Sequence, residues 1–126
     1  MPERFGCVYV LLLGSAVMLR IYDVVLDWIG SLPPVIAAIE VRDRNLADQL
    51  RRSSTSVCLN LAEGMAATGR SKRNAYGIAL REMRESVAAI EIAIRLAYVR
   101  PLEGALADRQ DRIVGTLVRL AVPAGR

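Results

Sequence analysis

The sequence predicts an all-α fold, an antiparallel up-down-up-down four-helix bundle, and three observations carry this prediction. Apolar residues, mostly aliphatic residues and alanine, make up 53% of the chain, whereas aromatic residues make up 5%. Apolar residues recur at the 3.6-residue period of a helix in four successive segments. The breaks between the segments are a few residues long, and connections this short place neighbouring helices antiparallel.

The first helix is predicted from Val17 to Val41, although it contains the pair Pro33-Pro34. Proline inside a helix removes a hydrogen bond and clashes with the preceding turn. The apolar stripe nevertheless keeps its phase across the prolines. We therefore predict one bent helix, with the bend between Gly30 and Pro34 and without a reversal of chain direction.

The other three helices are bounded by residues that favour helix ends. The second is predicted from Asp43, a possible N-cap, to Ala67. Ser71 can cap the third helix, which extends to about Tyr98. The fourth begins at Pro101, since proline suits a first helical turn.

These helices define one domain, residues 18–121, between an N-terminal extension, residues 1–17, and a C-terminal tail, residues 122–126. The apolar run in the extension is too short to span a membrane, so no membrane partner is expected. A disordered tail, a helical extension and a start codon assigned upstream of Met18 are the open interpretations. A signal peptide is the least favoured, because no cleavage site follows in good context.

Composition argues against catalysis and metal binding. The chain contains no histidine, and so lacks the commonest general base and the commonest zinc ligand. Its two cysteines, Cys7 and Cys58, cannot form a metal cage, and their spacing is not a CxxC motif. We predict no catalytic residues, no metal and no cofactor, and reduced cysteines in a cytoplasmic protein.

The net charge of +4 is confined to one part of the chain. Between Val41 and Arg73 there are seven basic and three acidic side chains, and the remaining charges balance. The residues predicted to bind nucleic acid are Arg51, Arg52, Arg70, Lys72 and Arg73. Because no aromatic residues are interleaved with them, contacts should be to the phosphate backbone. A solvated bundle end explains the same charges equally well.

A polar stripe runs beside the apolar face of the second predicted helix. We predict that a hydrogen-bond network, rather than a binding or catalytic cluster, is formed by Arg52, Ser56, Asn60, Glu63 and Arg84. Buried polar groups are paired in native proteins, and no base is available to activate a serine. Two small residues on the apolar face, Ser53 and Gly64, would let another backbone approach closely.

The third predicted helix carries a second apolar stripe, about 120–180° from the core stripe centred on Met83. Its members are Ile78, Ala89, Ile92 and Leu96. Exposing a large apolar side chain forgoes about 1.5–3 kcal/mol. We therefore predict that this stripe contacts a neighbouring subunit in a cyclic homo-oligomer. Scattered surface residues are the alternative.

Three motifs resemble one known family. The segment from Gln49 to Gly64 reads QLRRSSTSVCLNLAEG, the turn from Gly69 to Arg73 reads GRSKR, and Ile78 to Ser86 reads IALREMRES. Together they resemble the 23S rRNA intervening-sequence proteins over residues 18 to about 120. The sequence departs from the family pattern at Cys58, where many relatives carry proline, and in its extra N-terminal residues.

The resemblance implies a small four-helix bundle that assembles as a homopentamer and has no established enzymatic activity. Some members of that family are encoded within intervening sequences of large-subunit rRNA genes. Others are accessory proteins of diversity-generating retroelements, where they bind a reverse transcriptase and its RNA. We therefore expect a non-enzymatic, oligomeric RNA-binding or ribonucleoprotein accessory factor. The alternative is a protein–protein scaffold without a nucleic-acid role.

Overall fold

The computed structural model describes residues 20–121, and within that range all regular secondary structure is helical. This confirms the predicted all-α class. The helices are α1 (Arg20–Gly30), α2 (Pro33–Arg42), α3 (Arg44–Ala66), α4 (Gly69–Arg95) and α5 (Gly104–Ala121). The predicted N-terminal extension, residues 1–17, and the predicted tail, residues 122–126, lie outside the described residues.

The prolines divide the first predicted helix into α1 and α2, which are bent by 42°. The break lies at Ser31 and Leu32, between Gly30 and Pro34 as predicted, and the chain does not reverse there. The predicted bend without reversal is confirmed, and the helical hydrogen bonding is interrupted at Ser31 and Leu32 because Pro33 and Pro34 supply no N–H for the ladder. Leu32 N–H bonds to the carbonyl of Ile29, and the ladder resumes after the prolines.

Helices α3 and α4 pack antiparallel and closely. The Oγ atoms of Ser53 and Ser86 lie 2.7 Å apart in the middle of the pair. Nearer the α3–α4 turn, a Cβ atom added to Gly64 would lie 2.5 Å from a ring carbon of Tyr76. Small residues at positions 53 and 64 therefore permit the close approach expected of them.

The core is aliphatic and receives side chains from every described helix. The large side chains with less than 2% exposure are Trp28, Leu32, Ile39, Leu50, Leu61, Met83, Ile90, Ile113, Leu117, Val25 and Val57. Trp28 lies on α1, and its Nε1–H donates to Gln110 Oε1 on α5 at 3.1 Å. A buried indole N–H needs an acceptor, so this bond fixes α1 against α5.

The helix boundaries agree with expectation where a cap is present. Asp43 Oδ1 accepts the Leu46 N–H at 2.9 Å, as expected of an N-cap. The third predicted helix begins at Gly69 rather than at Ser71, and it ends at Arg95 rather than at Tyr98. It stops early because Ala97 adopts a left-handed backbone conformation with φ of 64°.

The last helix also starts later than predicted. Pro101 precedes α5, which begins at Gly104 with φ of +60°. The proline therefore lies in the connection and not in the first turn of the helix.

Candidate nucleic-acid interface

The five predicted nucleic-acid ligands fall into two groups, those that already have protein partners and those that are free. Arg51 belongs to the first group. Its Nη1 lies 2.6 Å from Asp48 Oδ1, and its Nη2 lies 3.2 Å from Glu40 Oε1. Its guanidinium therefore joins α2 to α3 through two exposed ion pairs, and the role of Arg51 as a phosphate ligand stays a prediction.

Lys72 is also engaged within the chain. Its Nζ donates to the Gly64 carbonyl at 2.8 Å and to the Tyr76 hydroxyl at 3.4 Å, and it lies 5.3 Å from the centroid of the Tyr76 ring. A cation at the last carbonyls of a helix is favoured by the helix dipole. Lys72 therefore caps α3, and its role as a phosphate ligand stays a prediction.

Arg52, Arg70 and Arg73 are exposed, and their side chains form no hydrogen bond or ion pair with any described residue. Arg70 and Arg73 lie together at the start of α4. Arg52 lies on α3, about 20 Å from that end at 1.5 Å per residue. The available positive charge is therefore a pair of arginines at the α3–α4 turn, with Arg52 separate from them.

The predicted polar network does not form as expected. Asn60 Nδ2 donates to the Ser56 carbonyl at 2.9 Å and to Ser56 Oγ at 3.1 Å, both within α3. Arg52, Glu63 and Arg84 are exposed, and their side chains make no hydrogen bond to a described residue. Because all three are exposed, water can satisfy them and a protein partner is not required.

The polar contact that does join these helices is the buried pair Ser53 and Ser86, both 0% exposed. Sequence reasoning did not identify it, although a signal was present. Ser86 lies within the core stripe of its helix, about 60° from Met83, where a polar residue needs a partner. Matching it to Ser53 required the register between the two helices.

The predicted oligomer stripe is only partly available. Ile92 is 47% exposed and Leu96 is 52% exposed, whereas Ala89 is only 4% exposed. Ala89 is already covered within its own chain, and its assignment to a subunit interface is corrected. Ile78 is half-buried beside a shallow cleft between α3 and α4.

Two further large apolar side chains are exposed, Val41 at 82% and Leu59 at 70%. Leu59 lies on the face of α3 opposite its apolar stripe, as its spacing from the stripe residues in the sequence indicates. Val41 lies at the same end of the molecule as Leu96, since the adjacent Arg42 guanidinium lies 5.7 Å from the centroid of the Tyr98 ring. We call Val41, Ile92 and Leu96 the apolar end, and Arg70, Lys72 and Arg73 the basic end.

Other chemistry is sparse in the part of the chain that the structure describes. No group of three or more histidine, cysteine or acidic side chains there could hold a metal ion. Burial raises the pKa of the Cys58 thiol, and a hydrogen bond with Tyr22 opposes this shift. A buried thiol with a raised pKa is a poor nucleophile.

Between residues 20 and 121 no single helix is long and apolar enough to cross a membrane. The bent pair α1 and α2 meets the length and hydropathy criteria when its two helices are taken together.

Comparison with known proteins gives one result. A family model described as 23S rRNA-intervening sequence protein matches residues 37–114, which is more than half of the chain. The matched region runs from α2 through most of α5 and contains the α3–α4 pair with its basic turn. No curated protein and no solved structure matches the chain significantly. The extent of the family match is sufficient to conclude that this chain belongs to the 23S rRNA-intervening sequence protein family.

Proposed function

We propose that this protein is a non-enzymatic RNA-binding or ribonucleoprotein accessory factor that contacts the phosphate backbone. The observation that carries the proposal is the pair Arg70 and Arg73, exposed and unpartnered among the described residues. Both lie in or next to the first turn of α4. The helix dipole disfavours cations at this position and favours anions, so helix stability does not account for these arginines. The family description supplies the link to RNA.

The mechanism is electrostatic and largely independent of sequence. Each guanidinium can bind two phosphate oxygens through its planar fork. Aromatic side chains do not accompany the two arginines at the α4 start in a way that would stack bases, since Tyr76 is buried beneath Lys72. The affinity should therefore depend steeply on salt and weakly on base sequence.

The proposal includes self-assembly as a cyclic homo-oligomer, for which the family resemblance implies a pentamer. Ile92 and Leu96 are each about half exposed, and Val41 is nearly fully exposed. Burying them against a second copy would remove apolar surface from water. A closed ring would also repeat the basic end in every subunit, and phosphate affinity rises with the number of contacts.

The subunit in this proposal is an up-down-up-down four-helix bundle in which α1 and α2 together form one arm. The packing supports this arrangement, because α2 contacts α3, α3 contacts α4, α4 contacts α5, and α1 contacts α5. With α1 and α2 counted as one arm, each of the four arms packs against two others around one core. We also propose a cytoplasmic location, and a reverse transcriptase as a partner class by analogy with the retroelement relatives.

A paired set of variants tests RNA binding. Arg70→Gln with Arg73→Gln removes two charges at the basic end, and Arg81→Gln with Arg84→Gln removes two exposed charges from the middle of α4. Fluorescence anisotropy with an RNA hairpin, at several salt concentrations, gives the affinity and its salt dependence. For the first pair we expect weaker binding to any RNA and a slope of log Kobs against log salt reduced by about 2.

The second pair should keep the affinity and slope of the parent protein. Equal affinity and equal slope for the parent and the Arg70/Arg73 variant would refute the RNA proposal. The scaffold alternative would then be favoured, since it requires no nucleic acid.

A further inference from the structure

One arginine of α1 and two of α5 line a cleft between these helices. The cleft has a volume of about 310 Å³ and is lined by Arg20, Ile21, Arg112, Thr116, Arg119 and Leu120. Arg20 is the first residue of α1, and Arg119 lies in the last turn of α5. The cleft forms because these two helices pack against each other in opposite directions, as the Trp28–Gln110 and Ser31–Arg109 hydrogen bonds show.

Within residues 20–121, no acidic group lines this positively charged cleft. Its described lining contains no carboxylate, and both ion pairs found in that range belong to Arg51. Arg119 Nη2 donates to Thr116 Oγ1 at 3.2 Å. Because the Thr116 oxygen accepts that bond, its own O–H remains able to donate to a ligand. Ile21, only 5% exposed, gives the cleft an apolar floor.

Helix stability does not explain why three arginines line this cleft. The helix dipole favours a cation in the last turn, which accounts for Arg119. Arg112 lies in the middle of α5 and Arg20 belongs to a different helix, so neither gains from that dipole. Like charges around one cleft repel each other. An anion bound in the cleft would be attracted by the guanidinium groups, and this attraction would offset their mutual repulsion.

We propose that the cleft between α1 and α5 binds a phosphate group, and that this phosphate belongs to the RNA backbone; the second part rests on the function proposed above. Guanidinium groups match the oxygens of a phosphate in pairs, and the Thr116 hydroxyl supplies one further donor. Among residues 20–121 the lining offers no aromatic ring for base stacking, so recognition in this proposal is of the backbone and not of the bases. The volume, equal to about ten water molecules in the liquid, accommodates more than one phosphate group.

The distribution of charge along the sequence does not indicate this cleft. The charge surplus lies between Val41 and Arg73, and the arginines of the cleft lie outside that range. Acidic residues that are near in sequence, such as Asp23 and Asp108, balance them in a linear count. In the folded chain those carboxylates do not line the cleft, so its local charge is positive.

The test uses the full chain and a charge-matched control. Arg112→Gln with Arg119→Gln removes two charges from the cleft. Arg95→Gln with Arg100→Gln removes two exposed charges from the end of α4 and the following connection. Binding of an RNA hairpin is measured by fluorescence anisotropy over a range of salt, and circular dichroism checks that all variants are folded. We expect the cleft variant to bind more weakly than the control, with a salt slope lower by about 2.

A second measurement does not depend on RNA. Inorganic phosphate is titrated into each protein, and the backbone amide resonances of Ile21, Thr116 and Leu120 are followed by NMR. We expect shifts that saturate in the parent and in the control variant and that are absent in the cleft variant.

The two measurements separate the inference from the function on which it rests. If the parent binds no RNA but the phosphate shifts disappear only in the cleft variant, the RNA function fails and the anion site stands. If RNA binding depends on Arg70 and Arg73 but the cleft variant matches its control in both measurements, the RNA function stands and the cleft proposal is overturned.

Discussion

The basic end and the apolar end lie at opposite ends of the α3–α4 pair. Each exposes side chains whose residue type does not stabilise the helix at that position. At the basic end, Lys72 is bonded to Gly64 and Tyr76, while Arg70 and Arg73 have no partner among the described residues. At the apolar end, Val41 is 82% exposed and Leu96 is 52% exposed.

The same exposure has different consequences at the two ends. A hydrated guanidinium is stable in water, so free arginines permit the binding of an anion without requiring it. An exposed aliphatic side chain orders or excludes water, and its burial releases free energy. We therefore propose a partner protein for the apolar end and an anionic ligand for the basic end.

The largest expected effect comes from breaking the apolar end. Ile92→Glu with Leu96→Glu places two charges where a second copy should pack. Each parent side chain is about half exposed, so its burial contributes on the order of 1 kcal/mol, and burying an unpaired carboxylate costs several kcal/mol more. Sedimentation velocity should show an oligomeric parent and a double variant with the mass of a single chain.

A control with the same charge change is Ala37→Glu with Ala105→Glu, two exposed alanines on α2 and α5. This variant should keep the oligomeric mass of the parent. A parent that sediments as a monomer, or an Ile92/Leu96 variant that keeps the full mass, would contradict the assignment of the apolar end.

The next effect concerns the close packing beneath the basic end. Gly64→Ala would place a Cβ atom 2.5 Å from the ring of Tyr76, which is 4% exposed and is held by Lys72. Overpacking of this kind lowers the free energy of unfolding by about 1–3 kcal/mol, despite alanine's advantage of about 1 kcal/mol in helix propensity. Urea denaturation measures the change.

Gly77→Ala is the matched variant, because a Cβ atom there meets nothing within 4 Å. It should raise the free energy of unfolding by up to about 1 kcal/mol. If Gly64→Ala proved as stable as Gly77→Ala, the tight contact between α3 and α4 would not exist in solution.

The smallest effect separates structural from binding cations at the basic end. Lys72→Met keeps the aliphatic stem but removes the donor to the Gly64 carbonyl, and we expect a loss of about 1 kcal/mol of stability. Arg73→Met should change stability by less than about 0.5 kcal/mol, as is usual for exposed positions. RNA titrations should show the opposite order, with a lower salt slope for Arg73→Met only. A reduced slope for Lys72→Met at unchanged stability would reverse these roles.

The bend and the caps show how much of the fold could be predicted. Proline chemistry located the bend between Gly30 and Pro34, and the short polar side chain of Asp43 located the start of α3. The end of α4 could not be predicted, because it depends on Ala97 adopting a left-handed conformation for which alanine has no intrinsic preference.

Candidate sites were predicted less well than helices. Arg51, Lys72 and Ala89 have the residue types expected of ligands or interface positions. How the helices pack decides that Arg51 meets Glu40, that Lys72 meets the Gly64 carbonyl, and that Ala89 is covered within its own chain. The residue type limits the contacts that a side chain can make, and the neighbouring groups in the fold determine which of those contacts form.

The sequence by itself determined the helical class, the bend, the family motifs and the absence of histidine chemistry, because these depend on residue identity and on spacing within one helix. Only the tertiary structure decided which cations are free, which hydroxyls meet across α3 and α4, and that Arg20, Arg112 and Arg119 share a cleft. Those facts depend on the register and rotation of helices distant along the chain. Register and rotation are set by the packing of the whole core, and no local pattern encodes them.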